Sequence, residues 1–302
     1  MLFAVLAVSI FISSLIGAVD IPLSNEIVFD IRLPRIILGA LIGILLSCSG
    51  AILQSVLKNP LSDPYILGVS SGAAVGAALA FSLSLFSFFI VPIFAFIGAL
   101  AAVFLVYKVA NVRGLISPQT LILSGVSVSM LLSAILTLIV LFGNSIYPIY
   151  FWLLGGLSGA NWNIVLNILP YAVFGLVFSM IFEKELNILS LGDETAMSLG
   201  VNVGLLRSIF LIISSFMAAA AVSVSGIIGF VGLIIPHIVR IIFGSDNRIL
   251  LPVSAILGAV FLILADTIAR TIFSPIEIPV GIVTAFFGVP FFIYVLRNRK
   301  NA

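Results

Sequence analysis

The chain has 302 residues, of which 62% are hydrophobic and only 8% are charged, with a formal net charge of +2. A soluble globular domain carries roughly 25% charged residues, so this chain cannot cover a water-facing surface, and no basic run indicates nucleic-acid binding. Its long unbroken apolar runs exclude a membrane β-barrel, whose strands alternate over short segments. They predict an all-α polytopic membrane protein with about ten spans of roughly 20 residues.

The first half of the chain holds five predicted spans joined by short loops. They fall at about residues 2–19, 34–57, two that share 64–108 around a turn near 82–87, and 119–142. The first has no basic N-terminal region and no small-residue cleavage site, so we expect it to stay in the protein and not to be removed as a signal peptide. Lys58, Asn59 and Pro60 lie between the second and third spans, which are predicted to form a membrane hairpin.

Small residues recur on these spans at the spacing of one helix face. Gly39 and Gly43 are four residues apart, and Gly68, Gly72 and Gly76 repeat the same interval. Because lipid gives helices no hydrophobic reason to associate, such faces allow their backbones to approach closely. We expect these glycines to pack within the subunit, with a subunit interface or a transport path as the alternative.

The second half opens with an interruption and holds five more spans. Trp152 and Trp162 flank a glycine-rich stretch, which predicts a short interfacial helix at headgroup depth. The spans fall at about residues 163–182, two within 207–240 that break near 225–229, 250–270 and 278–296. Two crossings within 207–240 are a tight fit at about 1.5 Å per residue. Residues 183–206 form the most polar stretch, a candidate attachment point for a partner, with an ordinary solvated loop as the alternative.

The distribution of positive charge predicts the orientation. If the N-terminus is inside and the chain crosses ten times, only Arg32, Arg35 and Arg270 fall outside. The cations expected inside are Lys58, Lys108, Arg113, Lys184, Arg207, Arg240, Arg248, Arg297, Arg299 and Lys300. This asymmetry follows the positive-inside rule, whereas a single long crossing over 208–239 would move the basic tail outside. We therefore expect both termini in the cytoplasm.

Motifs for nucleotide hydrolysis, zinc binding or dithiol chemistry do not occur in the sequence. His237 and Cys48 are the only residues of their types, and we expect both to be structural. Asp266 and Arg270 stand at i and i+4 and are predicted to pair. As the one clear acid within a span, Asp266 is also the candidate ion site of a gradient-driven secondary transporter. We predict a transport body, not an enzyme, without its own metal or cofactor.

Seven stretches together resemble the FecCD permeases of ABC importers, in that family's order and over nearly the whole chain. They are RLPR, GAILQSVLKNPLSDPYILGVSSGA, FWLLGGLSGANW, LGDETAMSLGVNV, GFVGLIIPHIVRIIFGSDNRILLP, LADTIAR and EIPVGIVTAFFGVPFFIYVL. The resemblance implies a fold like that of cobalamin-importer permeases, with residues 1–302 forming a single integral membrane permease domain and 183–206 its cytoplasmic coupling loop. It also implies import of a metal chelate, of the iron-siderophore, haem or cobalamin class, by alternating access.

The same resemblance implies partners and a location. A second permease subunit would complete the complex, as a homodimer or as a heterodimer with a similar chain. Two cytoplasmic P-loop ATPase subunits would hold ATP and Mg²⁺, and an extracytoplasmic substrate-binding protein would deliver the substrate. The expected location is the plasma (inner) membrane of a prokaryote, in contact with lipid and not with nucleic acid.

Site residues follow from the resemblance position by position. Arg32, Arg35 and Arg270 match arginines that face acids of the binding protein, a task suited to the bidentate guanidinium; anchoring to headgroup phosphates is the alternative. Asn59 and Leu61 match the inner gate. The residues that match the helices contacting the ATPase are Gly192, Asp193, Glu194, Ala196, Leu199 and Gly200.

Overall fold

The computed structural model describes residues 2–17, 27–85, 89–111, 117–143 and 146–298. All regular elements in these ranges are helical, and thirteen are α-helices. They are α1 Leu2–Leu15, α2 Leu33–Val56, α3 Val69–Ser82, α4 Ile90–Ala110, α5 Pro118–Phe142, α6 Ile146–Leu153, α7 Trp162–Ile181, α8 Glu183–Ser190, α9 Asp193–Ser198, α10 Val203–Ser225, α11 Val231–Phe243, α12 Asn247–Thr271 and α13 Val280–Asn298. A π-helical turn, Ile27–Arg32, leads into α2, and a 3₁₀ turn, Pro64–Leu67, precedes α3.

The helices confirm the predicted all-α membrane architecture. Six candidate spans are long and apolar enough to cross a bilayer, and four shorter apolar helices bring the number to the ten predicted. The short helix expected in the interruption is α6, and the polar stretch after the sixth span folds into α8 and α9. Part of the predicted turn near 82–87, the loop with Arg113, and Arg299 and Lys300 of the tail lie outside the described residues.

Helix α2 is the axis of the bundle. It is buried along most of its length and packs against α7, α10, α11 and α12. Its glycines permit this, because a Cβ on Gly43 would collide with the carbonyl of Gly258 on α12. A Cβ on Gly72 of α3 would likewise collide with the Gly98 carbonyl of α4. These contacts confirm that the small-residue faces pack within the subunit.

Side-chain contacts sort the helix ends into two sets. At one end of the bundle Arg35, in the first turn of α2, binds Asp266 near the end of α12. At the opposite end Lys58, just after α2, binds Asp193 at the start of α9. We call these the Arg35 end and the Lys58 end. Trp162, which begins α7, lies at the Arg35 end, where its indole N–H donates to the Phe29 carbonyl at 2.9 Å.

The chain between α10 and α11 explains how two crossings fit into so few residues. Helix α10 has 23 residues and α11 only 13, which correspond to about 35 Å and about 20 Å of rise. Residues 226–230 between them are not helical, and an extended segment of that length adds up to roughly 17 Å. The second crossing therefore combines an irregular stretch with a short helix. The break lies one residue beyond its predicted position.

Irregular backbone at membrane depth needs partners within the protein, because lipid offers none. The Tyr65 hydroxyl donates to the carbonyl of Ile228 at 2.8 Å. Pro236 has no N–H, so the Gly232 carbonyl one turn earlier in α11 lacks its helical donor. The buried Gln54 amide of α2 replaces that donor, with its Nε2 at 3.2 Å from the Gly232 oxygen. The hairpin of α2 and α3 thus holds the broken segment in place.

Replacing Gln54 with Leu should lower the free energy of unfolding by about 1–3 kcal/mol, because the Gly232 carbonyl then stays buried without a donor. Thermal unfolding of the detergent-purified protein measures this. Pro236→Ala provides the matched background, because its new N–H can donate to the Gly232 carbonyl. In that background Gln54→Leu should lower the free energy of unfolding by less. Equal losses in the two backgrounds would contradict the assigned contact.

Candidate functional site

The three predicted docking arginines meet at the Arg35 end of the bundle. Arg32 closes the π-helical turn, Arg35 lies in the first turn of α2, and Arg270 lies in the last turn of α12. Two acids stand among them, Asp266 of α12 and Glu277 of the loop before α13. We call these five side chains the arginine cluster.

Arg35 is the centre of the arginine cluster. Its Nε and Nη2 donate to the Asp266 carboxylate over 2.9 to 3.1 Å, and its Nη1 donates to Glu277 at 2.8 Å. The predicted pair of Asp266 and Arg270 also forms, but at 3.8 Å it is the longer contact. Asp266 is only 3% exposed, and a charge buried so deeply needs a fitted partner. Sequence spacing found the weaker of its two partners, because Arg35 is 231 residues away.

Arg32 and Arg270 are turned toward the end of α1. The Nη1 of Arg32 donates to the carbonyls of Ser14 and Leu15 at 2.9 and 3.0 Å. The Nη2 of Arg270 donates to the Ser13 carbonyl at 2.7 Å. The last carbonyls of a helix lack intrahelical donors and carry partial negative charge, so both guanidinium groups cap α1. Arg32 and Arg270 are 7% and 3% exposed.

The predicted gate residues lie in the turn that follows α2 at the Lys58 end. The side-chain oxygen of Asn59 accepts the N–H of Leu61 at 3.1 Å, an Asx turn that fixes the local backbone. The Asn59 N–H in turn donates to the Gln54 carbonyl at 3.1 Å, which ties the turn to α2. Asn59 and Leu61 are both partly exposed. We call residues 58–61 the gate turn.

Asp63 begins the return from the gate turn toward α3. Its carboxylate accepts the N–H of Tyr65 at 2.8 Å and caps the 3₁₀ turn. Burial raises the pKa of Asp63 to about 6, and the hydrogen bond from Tyr65 only partly offsets that effect. The carboxyl group therefore titrates close to neutral pH, beside the predicted gate.

Helix α8 is fixed to the body of the bundle by a polar network. The Asn187 side-chain N–H₂ donates to Asp246 at 2.7 Å, and its oxygen accepts the amide of Asn247 at 2.7 Å. The N–H of Arg248 and the Asn187 amide both hydrogen-bond the Asp246 carboxylate and lower its pKa. Leu186 anchors the helix from below and is fully buried. These contacts attach α8 to the start of α12.

Helix α9 is fixed by charge. Asp193, its first residue, accepts hydrogen bonds from Lys58 of the gate turn and from Arg207 of α10, the latter at 2.8 and 3.0 Å. Burial opposes ionisation of Asp193, but the hydrogen bonds and charges of Lys58 and Arg207 outweigh it, so the pKa of Asp193 is lowered. One predicted coupling residue is thus bonded directly to the predicted gate turn.

The predicted coupling residues divide between an outward face and a supporting interior. Glu194, Leu199 and Gly200 are exposed, Gly192 and Asp193 are half-buried, and Ala196 is fully buried beneath α9. Leu191 and Met197 are also exposed, at 65% and 59%, and the sequence analysis missed both. The sequence signal that could have identified them is the placement of two apolar residues on either side of the acidic start of a short polar helix. The exposed apolar side chains of this set stand beside the Glu194 carboxylate and the Asp193 side chain, which is 41% exposed.

A groove lies between the 3₁₀ turn and α5. Its volume is about 560 Å³, and it is lined by Ile66, Ile122, Val126, Ser129, Met130 and Ser133. The lining is apolar with two hydroxyl groups and no charge. Among the described residues, no group of three or more His, Cys, Asp or Glu side chains is arranged to hold a metal ion.

Comparison with known proteins identifies relatives of the whole chain. The profile of the FecCD transport family matches residues 2–298. The cobalamin import system permease protein BtuC of Halobacterium salinarum is 49% identical over 92% of this chain and 75% of its own length. The Fe(3+)-citrate import system permease protein YfmD of Bacillus subtilis is 40% identical over 91% of this chain and 82% of its own. A solved metal-chelate type ABC transporter, in an inward-facing conformation, matches with a TM-score of 0.90 and 33% identity, covering 98% of this chain and 97% of its own.

Stability should depend on pH through Asp63. Its folded-state pKa of about 6 exceeds the ordinary aspartate value of about 3.9, so the folded state binds the proton more tightly. Stability should therefore fall as pH rises from about 4 through about 6. Asp63→Asn keeps the acceptor for Tyr65 and cannot titrate, so melting temperatures at about pH 5 and about pH 7 should differ less in this variant than in the wild type.

The exposed Asp30 provides the control for this measurement. Asp30→Asn removes a carboxylate far from Asp63, at the other end of α2, and should leave the wild-type pH profile unchanged. Parallel profiles for the wild type and Asp63→Asn would contradict the raised pKa.

Proposed function

The chain belongs to the FecCD transport family, and from this we propose that it is the transmembrane permease subunit of a binding-protein-dependent ABC importer. It would carry a metal chelate into the cytoplasm by alternating access. The observation that supports this most directly is the hydrogen bond between Asp193 of α9 and Lys58 of the gate turn. An importer driven by ATPase subunits needs a mechanical connection between the surface that meets the ATPase and the gate, and this contact is one.

The relatives and the groove both favour a metal chelate as the substrate. The relatives are named for cobalamin and for Fe(3+)-citrate, both of which are metal chelates. Large chelates need a wide path with few strong contacts, and the uncharged groove of about 560 Å³ between the 3₁₀ turn and α5 suits one. We therefore propose iron-siderophore, haem or cobalamin complexes as the substrate class.

Energy would come from partner subunits. We propose that two cytoplasmic P-loop ATPases hold ATP and Mg²⁺ and dock on the exposed face of α9, where Glu194 and Leu199 point outward. The permease itself would carry no cofactor. A second permease subunit, most simply another copy of this chain, would complete the path within the lipid bilayer, and no nucleic acid takes part.

The Lys58 end is proposed to face the cytoplasm of a prokaryote, across its plasma (inner) membrane. Lys58, Arg207 and Arg248 belong to this end, where Arg248 lies 3.4 Å from Glu183 of α8. Lys184 of α8 and Arg240 in the last turn of α11 lie at the same end, against three arginines at the other. The positive-inside rule assigns the end with more cations in its loops to the cytoplasm. Both termini would then be cytoplasmic, and the Arg35 end would face outside.

The binding protein is proposed to dock at the arginine cluster. Arg32, Arg35 and Arg270 all have partners within the chain, so a docking carboxylate must compete for one of them. Arg35 is the accessible candidate, because its partner Glu277 is 35% exposed, whereas Asp266 is buried. Glu277 would hold Arg35 in place until an acid of the binding protein replaces it.

A secondary transporter driven by an ion gradient is the alternative. It would need an ion site within the spans, and Asp266 is the candidate. Arg35 and Arg270 both contact that carboxylate, and Asp266 sits at the Arg35 end of α12. Two cations beside one carboxylate leave it little affinity for a further cation, so this alternative is disfavoured.

Transport by the reconstituted complex tests the proposal. The permease, the ATPase that co-purifies with it and the binding protein are placed in liposomes with radiolabelled cobalamin, Fe(3+)-citrate or Fe(3+)-hydroxamate. We expect one of these to accumulate only with ATP and binding protein present. Uptake that continues without ATPase and stops when a protonophore collapses the gradient would favour the secondary transporter.

Replacing Glu277 with Gln should strengthen docking of the binding protein by about 5-fold or more, because Nη1 of Arg35 is then released to the incoming carboxylate. Surface-immobilised complex and soluble binding protein give the dissociation constant. Asp30→Asn is the control, because it removes an exposed acid of the adjoining π-helical turn without freeing an arginine. Equal gains in both variants would indicate general electrostatics and would rule out a specific role of Arg35.

A further inference from the structure

We propose that Lys58 is a positioning residue that transmits movement of α9 to the gate turn, through its ion pair with Asp193. The inference deepens the proposed function and rests on it. Asp193 begins the helix that would meet the ATPase, and Lys58 begins the turn that holds the predicted gate residues. The two residues are 135 positions apart in the chain, so only the fold brings them together.

The backbone at Lys58 supports a role for its side chain. Lys58 follows the C-cap of α2 and has a φ of +50°, in the left-handed region where a side chain carries a steric cost and glycine does not. This is the position after a helix at which glycine is the usual residue. A glycine would satisfy the turn better than lysine does. What lysine adds is an ammonium group that reaches Asp193.

The contacts on both sides of the ion pair suit it to transmit movement. Asp193 is held by Arg207 as well, so the carboxylate moves together with α9 and the start of α10. On the other side, Lys58 is joined covalently to Asn59, whose side chain fixes the N–H of Leu61. A displacement of α9 therefore pulls on a rigid turn and reaches Leu61 within three residues.

The ion pair is poorly suited to a purely stabilising role. The side chains of Lys58 and Asp193 are 31% and 41% exposed, and ion pairs that are open to water contribute little to folding stability. Its removal should hardly change the melting temperature. Coupling between two sites, in contrast, typically changes an equilibrium by about 5-fold to 150-fold, so a functional readout separates the two roles.

The experiment follows the gate residue directly. Leu61→Cys is labelled with a water-soluble maleimide in the complex of the permease with its co-purifying ATPase, and labelling rates are compared with and without ATP. The native Cys48 is fully buried and should not react. Three variants are then added singly: Lys58→Gly relieves the backbone, Lys58→Met keeps the length without the charge, and Lys58→Arg keeps the charge.

With Lys58 present, ATP should change the labelling rate of L61C by at least about 5-fold. Lys58→Gly and Lys58→Met should abolish that change while the ATP hydrolysis rate and the melting temperature stay close to those of the parent. Lys58→Arg should restore part of it, because a guanidinium can also pair with Asp193.

Two results overturn the inference, and they are distinguishable. If Lys58→Gly keeps the full ATP-dependent change, movement reaches the gate by another route and Lys58 has no positioning role, whereas the proposed function stands. If ATP leaves L61C labelling unchanged in the parent complex itself, the ATP-driven importer is wrong and the link fails with it.

Discussion

The buried helix α2 imposes the constraint on which the rest of the structure depends, because the polar groups along it depend on partners inside the protein. Lipid supplies no hydrogen bonds, and an unpaired group at that depth costs several kcal/mol. Arg35 meets this need with Asp266 and Glu277. The Gln54 N–H₂ group meets it with the carbonyls of α11, whereas the Gln54 side-chain oxygen is buried without a hydrogen-bond partner. Each pairing fixes a distant part of the chain against α2. The partners that the polar groups of α2 require therefore determine where several other helices lie.

The two ends of α2 consequently became the two polar regions of the molecule. At the Arg35 end, guanidinium groups cap α1 and hold the end of α12. At the Lys58 end, the gate turn is bonded to α9, and α8 is bonded to α12. Between them the glycines of α2 let its neighbours pack at backbone distance. A buried axial helix with a polar cluster at each end would suit the proposed coupling between the two sides of a membrane.

Resemblance and charge singled out three arginines that the fold brings together at the Arg35 end, but they did not predict what these arginines contact. Arg32, Arg35 and Arg270 were the three cations that the positive-inside count set apart, and the fold brings them together. Their partners are carbonyls of α1 and acids far along the chain. A helical spacing rule detects only neighbours such as Asp266 and Arg270. Pairs that form between separate helices have no fixed interval in the sequence, so Arg35 with Asp266 could not be predicted.

The sequence by itself determined that the protein lies in a membrane, that it is helical with ten apolar segments, and where those segments break. These properties depend on local composition, since residue type decides burial in lipid and polar or charged residues mark the breaks between apolar segments. Only the tertiary structure decided that residues 226–230 cross part of the membrane without a helix, that Gln54 replaces the donor missing at Pro236, and that Lys58 reaches Asp193. Each of these depends on the relative placement of helices, which arises from packing over the whole chain.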